Sequence, residues 1–70
     1  MDLTNDVKRR LIEAELIQTS QEEYVLKTRL AVALEVKNDA LVERTQPQVE
    51  MLRRTIDALK KKLDEIADMP

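Results

Sequence analysis

An all-α helical hairpin that assembles into an oligomeric bundle is the fold this 70-residue sequence predicts. Three observations support it. Val49, Leu52, Ile56, Leu59, Leu63 and Ile66 recur at alternating spacings of three and four, the a/d pattern that keeps one edge of a helix against a partner helix. There is no Gly and a single aromatic residue, Tyr24, where sheets, tight turns and compact cores ordinarily use several of both. Finally, with neither Cys nor His, a chain this short has no disulfide or imidazole metal site to offset its small core, which leaves self-association.

The first helix is expected to start near residue 5. Thr4 or Asn5 can cap it, and Asp6 places a negative charge at the positive end of the helix dipole. Val7, Leu11 and Ala14, with Ile12, Leu16 and Ile17, give it a broad apolar face. Gln18 to Glu23 is the most polar stretch, and Ser20 with Glu23 has capping-box spacing, so a break near 18–21 is one alternative. Without Gly or Pro to enforce it, continuity from about 5 to 44 is the preferred reading.

From Tyr24 to Val42 the chain is apolar on several sides. Leu26, Leu30, Ala33 and Ala40 fall on one line, Leu34 and Leu41 continue another, and Val25, Val32, Val36 and Val42 lie towards a third. Such a helix has to be covered on more than one side. Pro47 suits the first turn of a new helix, and Thr45 with Gln48 repeats the capping-box spacing. The expected organisation is therefore one interaction domain, residues 1–70, with a helix over about 5–44, a turn at about 45–46 and a coiled-coil helix over about 47–67. So short a connection favours an antiparallel hairpin; a rod kinked at Pro47 is the alternative.

With Val49 at position a, Arg53 and Lys60 occupy e, Thr55 and Lys62 occupy g, and the acids Glu50, Asp57, Asp64 and Glu65 lie outside. Parallel pairing of two such seams would set Gln48 by Arg53, Thr55 by Lys60 and Lys62 by Ala67, none an attractive ion pair. Basic flanks call for acidic edges instead. A turn at 45–46 would supply them from Glu35, Asp39 and Glu43, placing Val49 near Val42 and Arg53 near Asp39 or Asn38. The expected helix interface is then Val49, Leu52, Ile56, Leu59, Leu63 and Ile66 facing Leu26, Leu30, Leu34, Leu41 and Val42.

Most catalytic chemistry is excluded by composition. Without His, Cys or Gly there is no thiolate, no imidazole base and no glycine loop for phosphate. Glu22-Glu23 and Asp64-Glu65 are adjacent acids that diverge by about 100° on a helix, too far to share an ion or a substrate. No catalytic, cofactor or metal site is expected. Net charge is −2 with acids and bases interspersed, which disfavours nucleic acid, although Arg9, Arg10, Arg53, Arg54, Lys60, Lys61 and Lys62 could contact phosphates in a regulator built on the same bundle. No uncharged run approaches the ~20 residues of a membrane span, and the acidic start, Met1 to Asp6, lacks the basic character of a secretion signal. In size and composition the chain looks like small helical accessory proteins of bacteria and phages. The expectation is a cytoplasmic, noncatalytic scaffold or regulatory module whose partners are its own copies or another helical protein.

Overall fold

The computed structural model describes residues 3–67, and within them the chain is a hairpin of two long antiparallel helices, α1 (Asn5–Glu35) and α2 (Asp39–Ala67). Met1 and Asp2 of the acidic N-terminus lie outside the described residues. Thr4 is the N-cap of α1: its Oγ1 accepts a hydrogen bond from the Val7 amide at 3.2 Å, and Asp6 sits in the first turn. The helix continues without a break through Gln18–Gln21. Its two threonines are absorbed locally: the Thr19 hydroxyl donates to the Glu15 carbonyl at 2.8 Å and that of Thr28 to the Tyr24 carbonyl at 2.9 Å.

The turn lies at Val36–Asn38, some eight or nine residues earlier than the sequence suggested. Here the Asn38 amide donates to the Ala33 carbonyl at 2.8 Å and the Lys37 amide to Leu34 at 3.2 Å. This is a Schellman motif, which requires a left-handed residue at its centre; Lys37 supplies it at φ 59°, where glycine would be the easier choice. Asn38 also opens the next helix. Its Oδ1 accepts from the Leu41 amide at 3.2 Å, and its carbonyl accepts the first helical bond, from Val42, at 3.1 Å. One asparagine thus closes α1 and caps α2.

The expected turn at 45–46 is corrected accordingly, and with it the helix over 5–44 and the start at Pro47. Pro47 stands inside α2. It is tolerated because it lies on the exposed side, so the Glu43 carbonyl deprived of a partner is left on an exposed residue within reach of water. Buried Thr45 and half-buried Val42 continue the Val49 line at the same three-four spacing. A turn before them yields helices of 31 and 29 residues that cover each other along their length, whereas a turn at 45–46 would leave half of the longer one bare.

The side chains turned inward follow strict alternation in both helices. In α1 they are Ile12, Leu16, Thr19, Glu23, Leu26, Leu30 and Ala33; in α2, Val42, Thr45, Val49, Leu52, Ile56, Leu59, Leu63 and Ile66. Counting outward from the turn sets Ala33 level with Val42, Leu26 with Val49, Glu23 with Leu52, Thr19 with Ile56 and Ile12 with Leu63. The core is narrow. Among the described residues, Ala33, Val49 and Ile56 are the buried apolar ones, at 0, 5 and 8% exposure, accompanied by buried Thr19 and Thr45. No described buried side-chain nitrogen or oxygen lacks a partner.

The result is a rod, 51 × 18 × 15 Å, with a radius of gyration of 16.0 Å against ~11 Å for a compact domain of this length. Its accessible surface is 5722 Å², compared with roughly 4,500 Å² for a typical folded monomer of this mass. Neither helix is long and apolar enough to cross a membrane.

Candidate interaction surface

α2 is amphipathic in the ordinary way. Away from α1 it shows Glu43, Glu50, Asp57 and Asp64 with Arg54 and Lys61, a solvated face. α1 is different. On the side opposite α2, Leu11, Ala14, Gln18, Gln21, Val25, Thr28 and Val32 succeed one another at spacings of three and four, with Ile17, Tyr24 and Ala31 alongside. All ten residues are exposed and none is charged. Every charge of α1 between residues 11 and 32 lies elsewhere: Glu13, Glu15, Glu22, Lys27 and Arg29 on the flanks, Glu23 on the inward line. A helix face facing only water would normally carry such charges itself.

The large apolar members are well exposed: Tyr24 at 73%, Ile17 at 61%, Leu11 at 58% and Val25 at 54%. Around them the surface is shallowly hollowed. A depression of about 660 Å³ is lined by Leu16, Ile17, Ser20, Gln21, Tyr24 and Val25, and a neighbouring one of about 360 Å³ by Gln18, Gln21, Glu22, Val25 and Leu26. Both are open troughs along one helix. Their shape suits side chains of another helix better than an enclosed small molecule.

The residues expected at the helix interface divide into two groups. Leu26 and Leu30 lie on the inward line of α1, Leu26 level with Val49, while Ile56, Leu59 and Leu63 fall level with Thr19, Leu16 and Ile12, so the C-terminal seam is occupied by the chain's own first helix. Leu41 and Val42 are half-buried on the same helix as Val49, and Leu34, beside the turn, is 59% exposed. The expected facing of Leu34, Leu41 and Val42 towards the seam is therefore corrected, because the earlier turn moves Leu41 and Val42 into α2. Asp39 and Glu43 move with them and cannot serve as acidic edges opposite Arg53.

The hairpin sets Lys8–Arg10 at the same end of the rod as Lys60–Lys62, while Arg53 and Arg54 stand near its middle. The basic end is neutralised in place. Among the described residues, Asp6, Glu13, Glu15, Asp64 and Glu65 share it, five acids to six bases. Arg9 reaches Asp6 at 2.7 Å and Glu13 at 3.8 Å, and Lys62 reaches Glu65 at 3.3 Å. These pairs are solvent-exposed and join neighbours on one helix, worth a few tenths of a kcal/mol each.

The chain matches no protein-family model, and comparison with curated proteins and with solved structures returned no similar protein.

Proposed function

We propose that this chain is a noncatalytic interaction module: a hairpin whose two helices pack as a short antiparallel coiled coil and whose outer α1 face binds another helix, in the first place that of a second copy. The observation that supports the reading is the uncharged stripe from Leu11 to Val32, exposed along its length in a hairpin whose other outer face is densely charged. Such a stripe is costly to leave in water and aggregation-prone unless covered, and a trough flanked by charges is the geometry of a helix-docking site. A nucleic-acid regulator ranks below this, since the bases gathered at the open end are matched by acids within a turn.

Sedimentation equilibrium tests the proposal. The wild-type chain is expected to self-associate at micromolar concentration, and Val25→Glu to weaken association at least ~100-fold, the consequence of roughly 3 kcal/mol for a buried unpaired charge. Because Val25 points away from α2, helicity should be unchanged. A wild-type chain that remains monomeric at millimolar concentration would defeat the proposal.

A further inference from the structure

We infer that two copies pair α1 against α1 in parallel and in register, about a twofold axis running along the helices; this rests on the self-association proposed above. The inference comes from the charges on the two rims of the stripe. With Leu11, Gln18, Val25 and Val32 as one line of the seam and Ala14, Gln21 and Thr28 as the other, the flanking positions are Arg10, Ile17, Tyr24 and Ala31 on one rim. On the opposite rim they are Lys8, Glu15, Glu22 and Arg29. Parallel pairing brings each residue of the first rim to the residue five further on along the second copy. Arg10 then meets Glu15, Ile17 meets Glu22, and Tyr24 meets Arg29, whose guanidinium can lie over the ring. Both Arg10–Glu15 contacts are attractive, and no like charges meet.

Antiparallel pairing joins each rim to itself. The antiparallel register that keeps Gln18 against Gln21 sets Glu15 against Glu22 and Lys8 against Arg29, each twice by symmetry, so four like-charge contacts surround the seam. Sliding the copies by one heptad exchanges Glu15 to Arg29 but leaves Glu22 facing itself, and it puts Gln21 opposite Val25 and Leu11 opposite Glu35. In the parallel arrangement each layer is formed by identical residues, and the glutamine layers can hydrogen-bond amide to amide across the axis. Polar layers of this kind fix register at some cost in stability. Since the stripe lies nearly diametrically opposite the α2-facing side of α1, the assembly is a flat row of four helices with the two α1 helices in the middle.

The absence of native cysteine makes the orientation directly measurable. Ala14→Cys and Thr28→Cys, introduced singly near opposite ends of the stripe, should each form a disulfide-linked dimer under mild oxidation. Ala58→Cys, on the outer face of α2, should not. The converse arrangement would link Ala14→Cys to Val25→Cys in a mixture of the two variants while neither end links to itself. That result, with a dimer still present by sedimentation, would overturn the parallel register and leave self-association standing. A monomeric chain would overturn both. Circular dichroism of each variant establishes that the hairpin is intact before the crosslinking is read.

Discussion

Glu23 is the one carboxylate on the inward line of α1, level with Leu52, and replacing it with leucine should stabilise the hairpin. Its side chain is 17% exposed and its partner, Lys27 at 3.3 Å, is an exposed neighbour one turn along the same helix. A leucine buried to about the same extent gains some four-fifths of the ~1.5–3 kcal/mol of full burial. Losing the ion pair costs ~0.3–0.5 kcal/mol. The net expectation is ~1–2 kcal/mol in favour of Glu23→Leu, which for a chain of this size raises Tm by about 5–15 °C. Thermal and urea unfolding followed at 222 nm supply the assay. Both should be run in the Val25→Glu background, so that association through the outer stripe does not enter the transition. Glu50→Leu, on the charged outer face of α2, is the control and should shift stability by less than ~0.5 kcal/mol. If the two substitutions behave alike, or Glu23→Leu is destabilising, then position 23 does not face α2 and the register assigned to the hairpin is wrong.

Two further expectations concern the turn and the proline. Lys37→Gly removes the strain of a side chain in the left-handed region, ~1–2 kcal/mol, against the extra unfolded-state entropy of glycine, for a net gain of ~0.5–1 kcal/mol in chemical denaturation; Asn38→Ala should lose ~0.5–2 kcal/mol with the α2 cap. Destabilisation by Lys37→Gly together with no loss on Asn38→Ala would mean that the chain turns elsewhere. Pro47→Ala restores an amide to the interior of α2 and should raise the urea midpoint by the equivalent of ~1–3 kcal/mol; a lower midpoint would show that α2 depends on the proline for its path along α1.

Much of the hairpin was legible in the chain itself. The alternation from Val49 to Ile66 is a pattern of sequence spacing, and it marks the inward face of α2 whatever lies opposite. Thr4 and Asp6 mark the start of α1, and the lack of glycine and aromatics leaves little besides helix. The turn was harder to place because its signals are atypical: a lysine occupies the left-handed position and one asparagine serves two helix ends. Pro47 and Thr45 meanwhile offered a conventional boundary that the fold does not use. Thr45 and Thr19 also hid the full length of the inward lines, since a hydroxyl reads as surface in a hydropathy pattern although here both are buried. The outer stripe had a readable signal too, ten uncharged residues at heptad spacing, but it is diluted by Gln18, Gln21 and Thr28.

Local sequence thus determined that this protein is helical, where its first helix begins and which edge of the second is apolar, because capping and periodicity act over a few residues. The tertiary structure decided which apolar lines are spent on each other. Once α2 covers one side of α1, the opposite side alone remains open, and only the position of the turn, set by the drive to match two helices along their whole length, determines which residues are left there.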